Sequence, residues 1–207
     1  YFEDFIGNVL IAWSEALRGE EKKSFATLEK IPKPYRHLKK IQKVFLKCYF
    51  DKEDTQAFYE KIVQNKEYNF SRYNFFLANY FLSNNKEKEA IKIIQNTREK
   101  NSSNLLIEQT EIFLKKGKSE KIKNFFDCKN PNDSLAEFFY VIANLHAVEK
   151  NYRLSNFYLR ISESLNKKFL PNKALLAENF YFQKKYKISK NIYDELKSIG
   201  SAFSWHA

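Results

Sequence analysis

Apolar residues recur along this chain at helical spacing. Phe139, Ile142, Ala143 and His146 follow an i, i+3, i+4, i+7 order, and after a short break Tyr152, Ser155, Leu159 and Ser162 line a second face. Residues three and four apart share one side of a helix, so each set predicts an amphipathic helix with one buried stripe. The layout returns one unit later: Ala143 aligns with Ala177, Tyr152 with Tyr186 and Ser155 with Ser189, each pair 34 residues apart. Within a unit, two small residues lie twelve apart, as in Ala12 with Ser24, Ala78 with Ala90, Ala143 with Ser155 and Ala177 with Ser189. Phe45 with Ala57 and Thr110 with Ile122 are looser versions of the same pair. The first members stand at 12, 45, 78, 110, 143 and 177, in steps of 32 to 34 residues. A fixed period of this length marks a repeat architecture.

Each unit reads as two helices and a turn. The break falls seven residues after the small position, at Gly19, Lys52, Asn85, Gly117, Lys150 and Lys184. Glycine and asparagine tolerate the left-handed backbone that ends a helix, and three of the six breaks carry one. Small residues on both helices let their backbones approach closely. The fold class expected is all-α, one domain over 1–207, with units at about 5–37, 38–70, 71–102, 103–135, 136–169 and 170–203. Residues 204–207 would begin a further helix.

These units resemble tetratricopeptide repeats, whose pattern is a large residue, an apolar–small pair, an aromatic, a turn, a small residue and a further aromatic. The third unit matches in Leu77, Ala78, Phe81, Asn85, Ala90 and Ile94. The fifth matches in Phe139, Ile142, Ala143, Tyr152, Ser155 and Leu159, and the sixth in Leu176, Ala177, Phe180, Tyr186, Ser189, Tyr193 and Leu196. The first is partial, with Ile11, Ala12, Gly19, Ser24 and Leu28. The second and fourth depart from it: Phe45 and Ile122 fill small slots and Lys61 an aromatic one, so helix spacing or register is expected to differ there. The resemblance implies a right-handed superhelical solenoid in which stacked hairpins share nearest-neighbour contacts. Its overall character resembles that of bacterial repeat proteins of unassigned role.

Composition fits this reading. Of 207 residues 43% are hydrophobic and 17% aromatic, enough for an extended core, while 4 glycines and 4 prolines leave few tight turns for a sandwich or barrel. No apolar run approaches the roughly 18–20 residues needed to cross a bilayer. The chain starts on Tyr1 and Phe2 and closes on Phe203 and Trp205, apolar ends that suggest a piece of a longer protein, with cytoplasm and periplasm both open. Cys48 and Cys128 lie far apart in no metal or redox spacing and are expected to be two buried thiols. The net charge of +11 points to a polyanion, yet only six of the 36 basic residues are arginines, and the lysines come with twenty asparagines and many Ile and Phe. A/T-rich codons alone produce such a composition.

No paired carboxylates, Ser/His/Asp order, glycine-rich phosphate loop or HExxH stands in the chain, so no enzyme, cofactor or metal is implied. His37, His146 and His206 sit in a linker, a core column and a chain end. Three residues after the small position the units carry Glu15, Cys48, Phe81, Phe113, His146 and Phe180. In the resembling family an aromatic packs there between helices, so His146 is expected to be a packing residue.

The resemblance implies a non-enzymatic scaffold that binds a peptide or partner helix in a concave groove lined by the first helix of each pair. Residues at −6, −3, +1 and +4 from the small position would face it. Carried over, these are Lys39, Gln42, Tyr49, Arg72, Phe75, Asn79, Glu111, Glu137, Tyr140, Asn144, Glu178 and Tyr181. Early Lys39 and Arg72 against later Glu111, Glu137 and Glu178 would suit a partner with an acidic and then a basic segment. Gln42, Phe75 and Tyr140 stand where the family's carboxylate clamp needs lysine, which argues against that clamp. The alternative is a basic RNA-binding module that uses lysine-rich edges. Its clusters are Lys39, Lys40, Lys43 and Lys47; Lys115, Lys116, Lys118, Lys121 and Lys123; and Lys184, Lys185, Lys187 and Lys190.

Overall fold

The computed structural model describes residues 2–65, 72–100 and 104–202. Among them are twelve α-helices, a 3-10 turn at Lys33–Tyr35 and 3-10 backbone at 201–202, with no strand. The helices come in six pairs. They are α1 (Phe2–Leu17) with α2 (Glu21–Glu29), α3 (Arg36–Tyr49) with α4 (Thr55–Val63), and α5 (Tyr73–Ser83) with α6 (Glu87–Lys100). Then follow α7 (Leu105–Lys115) with α8 (Ser119–Lys123), α9 (Pro131–Val148) with α10 (Tyr152–Leu165), and α11 (Leu170–Phe182) with α12 (Tyr186–Ile199). The all-helical class expected from the period is what the structure shows. The helix start expected at 204–207, His206 and Trp205 within it, lies outside the described residues, as do Tyr1, Phe203 and the unit joins near 70 and 102. No helix among the described residues is long and apolar enough to cross a membrane.

One backbone device ends the first helix of every pair. Gly19, Asp51, Asn85, Gly117, Lys150 and Lys184 all have φ between 53° and 75°. At each, the left-handed residue's N–H donates to the carbonyl three back, and the next N–H reaches five back. Examples are Gly19 to Ala16 (2.9 Å) with Glu20 to Glu15 (3.0 Å), and Lys184 to Tyr181 (2.9 Å) with Lys185 to Phe180 (2.9 Å). Two carbonyls that the helix leaves unpaired are thereby satisfied at every turn. Five of the six positions are those the period predicts. In the second hairpin the turn comes at Asp51 and not Lys52, and Lys47, not Cys48, accepts the long bond (2.9 Å).

The small pairs do what close backbone approach requires. Ala12, Ser24, Ala78, Ala90, Ala143, Ser155 and Ala177 are fully buried and Ser189 nearly so. Ser189 Oγ donates to the Ala177 carbonyl twelve residues earlier at 2.8 Å, tying α12 to α11. Where the small slot holds Ile122, the second helix is only five residues long. Local chemistry starts several helices: the Asn104 side chain accepts the Ile107 N–H (3.3 Å) at α7, and Asn151 accepts that of Leu154 (3.3 Å) at α10.

The chain folds as two compact units, one of residues 1–70 and 128–134, the other of 71–127 and 135–207. In the first, α1 packs on α2 and α3, and α3 on α4. Phe5, Val9, Trp13, Leu28, Val44, Phe45 and Tyr59 are fully buried there, and Trp13 Nε1–H donates to Gln42 Oε1 at 2.9 Å. Cys48 and Cys128 form a disulfide with Cα atoms 5.9 Å apart, which corrects the expectation of two separate thiols. Eighty residues separate them, so no short spacing betrays the pair. Lys129 pairs with Asp51 beside the bridge, so segment 128–134 is held at the α3–α4 turn by a covalent and an ionic link.

In the second unit the contacts do not stop at the next repeat. Besides the packing of α5 on α6, α7 and α8 and of α11 on α10 and α12, Phe76 of α5 meets Phe126 (4.7 Å) and Phe169 (6.2 Å). Leu105 and Phe125 pack against the Leu170, Ala177, Tyr193 and Leu196 cluster. Gln109 Oε1 accepts the Ala202 N–H at 3.1 Å across 93 residues. Helix α5, YNFFLANYFLS, is consequently buried on nearly every side, from Tyr73 to Asn79 without a break.

Reducing the Cys48–Cys128 bridge, or replacing both cysteines by serine, should lower folding stability by about 2–4 kcal/mol, because the denatured chain regains the freedom of a long loop. Melting temperature with and without reductant measures it. Lys150→Gly should raise stability by about 0.5–1 kcal/mol, since glycine escapes the cost that a side chain meets at this left-handed residue; urea titration of the variant checks it.

Candidate functional site

The residues expected to line a groove meet different fates. In the first unit, Lys39 bonds Glu29 (3.0 Å), Gln42 is buried under Trp13, and Tyr49 sits edge-on to Trp13 (5.9 Å). In the second, Phe75 and Asn79 are buried in α5, where Asn79 Nδ2 donates to the Ile122 carbonyl at 3.0 Å. Glu111 takes Arg98 (3.4 Å) and Lys115 (2.7 Å), and Tyr181 is exposed and packs on Phe182 (5.8 Å) and Tyr186 (5.4 Å). Gln42, Phe75, Asn79 and Glu137 are closed to a partner, because their helix faces are covered by neighbouring elements.

Arg72, Tyr140, Asn144 and Glu178 are brought together. They line a cavity of about 320 Å³ with Asn104, Leu105, Leu106, Pro171, Ala174 and Leu175. Its walls come from the start of α5, the start of α7, the middle of α9 and the first half of α11. Seven of the ten lining residues stand at the −6, −3 or +1 offset of their own hairpin: Arg72, Asn104 and Pro171 at −6, Tyr140 and Ala174 at −3, Asn144 and Glu178 at +1. Asn104, Pro171 and Ala174 were readable by the offset rule. Leu105, Leu106 and Leu175 were not, since their apolar side chains look like ordinary core.

One lining residue, Arg72, belongs to a buried ion pair. Arg72 donates from both terminal nitrogens to Glu137, at 2.7 Å from Nη1 to Oε2, with a shorter bond from Nη2 to Oε1. Tyr73 O–H donates to the same carboxylate at 2.9 Å. Glu137 is fully buried and Arg72 mostly so, and the guanidinium lies 4.7 Å above the Tyr140 ring and 5.0 Å from that of Tyr73. Burial works against the arginine's charge, but the Glu137 carboxylate outweighs it and holds the guanidinium above its ordinary pKa. Burial, reinforced by the Glu137 charge, pushes Tyr73 well above the usual phenol range. Tyr140 is raised by burial too, with Glu137 and Glu178 adding and Arg72 opposing. Tyr193 is pushed up to about 12 by burial and the Glu178 charge. All three phenols therefore stay neutral hydrogen-bond donors at any physiological pH.

This pairing revises the charge gradient expected along the groove. Arg72 and Glu137 neutralise each other, and the other charged residue of the lining is Glu178, above an apolar floor. His146 is outside it, with its ring stacked on Tyr158 (5.6 Å, 8°) and its Nδ1 3.7 Å from Glu149. Its carbonyl accepts the Asn151 N–H at 2.8 Å, the long bond of the fifth turn. It takes the aromatic's place in the column.

The lysine clusters also divide. Lys39 and Lys43 share Glu29, Lys47 takes Asp54, Lys115 takes Glu111 and Lys123 takes Glu120. Comparison with protein-family models, curated proteins and solved structures finds no match for this chain.

Glu137→Ala should cost about 3–5 kcal/mol, because it strands Arg72 without its counter-charge. The Arg72→Met/Glu137→Leu double variant should recover most of the loss, and chemical denaturation of both measures it.

Proposed function

We propose that this protein is a binding scaffold of tetratricopeptide-like repeats. The hairpins of its second unit stack as a solenoid, and it grips an extended peptide or helix from another protein in the cavity between the first helices of the third to sixth hairpins. The convergence of Arg72, Asn104, Tyr140, Asn144, Pro171, Ala174 and Glu178 at equivalent offsets carries this reading. An apolar floor of leucines would hold an anchor side chain. Asn144, the Tyr140 hydroxyl and Glu178 offer a polar rim that matches main-chain amides and a basic residue. The Arg72–Glu137 pair fixes the position of Arg72 at one side of the recess.

The partner is therefore a segment with one apolar anchor next to lysine or arginine. The disulfide between Cys48 and Cys128 favours the oxidising one of the two compartments considered, the periplasm.

Selecting a random peptide library on the folded chain tests the reading. Peptides of that description should be enriched. Ala174→Trp, which fills the cavity, and Glu178→Lys, which reverses its charge, should each weaken them by about tenfold or more. Equal binding by Ala174→Trp would reject the cavity as the site.

A further inference from the structure

A second cavity, of about 380 Å³, lies in the same unit. It is bounded by the last turn of α7 with the turn after it, by α8, and by the last turn of α12 with residues 200–201. Lys116, Lys118, Lys121 and Lys197 line it, and no aspartate or glutamate does. Of the nearby acids in sequence, Glu111 is engaged by Arg98 and Lys115, Glu120 by Lys123 and Glu195 by Lys173, and Asp194 does not line the recess. Elsewhere in the described structure, lysines such as Lys39, Lys43, Lys47, Lys52 and Lys129 face carboxylates. Here three elements, up to 81 residues apart in sequence (116 to 197), bring four ammonium groups to one recess.

Helix ends do not account for that much charge. α7 and α12 both finish at this cavity, and a helix C-terminus carries roughly half a negative charge, so about three of the four positive charges remain unbalanced. Gln109 is buried beneath the recess and its Oε1 holds the Ala202 N–H; a Cβ on Gly200 would fall 2.0 Å from that same oxygen, so a side chain at 200 would push the Gln109 amide aside. Among the described residues that line the recess, none offers a face to nucleobases: Phe113 is buried, and Lys121 covers it at 5.5 Å.

We propose that this recess binds a small anion carrying two or more phosphate groups. Lysines are point charges that pair with phosphate oxygens without a fixed fork, and four of them match the three to four charges of a pyrophosphate or tripolyphosphate. The recess is also of the size of ordinary small-molecule sites, roughly 300–1,000 Å³. The site is separate from the peptide cavity, and neither reading depends on the other.

Calorimetric titration of inorganic pyrophosphate into the folded chain at low ionic strength is the test, with Lys121→Ala/Lys197→Ala as the site variant and Lys187→Ala/Lys190→Ala as the control. All four of these lysines are exposed, so both variants keep the fold. Pyrophosphate should bind the parent chain and the control equally, bind the site variant about tenfold or more weakly, and weaken steeply with added salt. Absence of binding, or equal loss in the control, would overturn the proposal. So would a single-stranded RNA oligomer that binds through Lys121 and Lys197 and that pyrophosphate does not displace, since the surface would then be a nucleic-acid track.

Discussion

The structure hangs on a turn. Every first helix stops at a residue held in the left-handed region, and the next N–H reaches back five residues to close the end. A helix that ends in this way leaves along one direction, so its partner returns at a set angle, and the small residues twelve apart then fall opposite each other. Buried Ala12 over Ser24 and Ala177 over Ser189 are the outcome. The turn tolerates lysine at 150 and 184 although a side chain there costs about 1 kcal/mol or more. Packing of the two helices outweighs that cost.

Once hairpins are set, what they bury depends on how closely successive pairs approach. In the second unit they come close enough for contacts that skip a repeat, such as Arg72 with Glu137 and Gln109 with Ala202. An inner surface that would be an open groove in a loose array becomes core over much of its area. Phe75 and Asn79 are lost to it, and a cavity of about 320 Å³ is what remains between the first helices. The ion pair that holds Arg72 is a specificity device more than a source of stability, since desolvating two charges offsets most of their attraction. Its three hydrogen bonds from Arg72 and Tyr73 satisfy both oxygens of Glu137 and leave one arrangement that works.

Charge follows the same logic. A net charge of +11 reads as a uniform basic surface, yet many lysines are neutralised locally by carboxylates three to fourteen residues away. The clusters seen along the chain are therefore poor guides to potential. Lys116, Lys118 and Lys121 were visible as a run, but Lys197, which completes their cavity, is distant in sequence.

The elements were set by local sequence pattern. Period, small pairs and turn positions are local properties: a helix's buried face is set by residues three and four apart, and its end by the few residues that accept positive φ. Hence five of six turns, the all-helical class and the packing role of His146 were legible. Long-range packing governed which inward positions stayed open. It closed Gln42, Phe75, Asn79 and Glu137, paired Cys48 with Cys128, and gathered Arg72, Tyr140, Asn144 and Glu178 at one cavity. Exposure, disulfide pairing and cavity lining depend on distances between residues tens of positions apart. Those distances come from how hairpins stack, which no single repeat encodes.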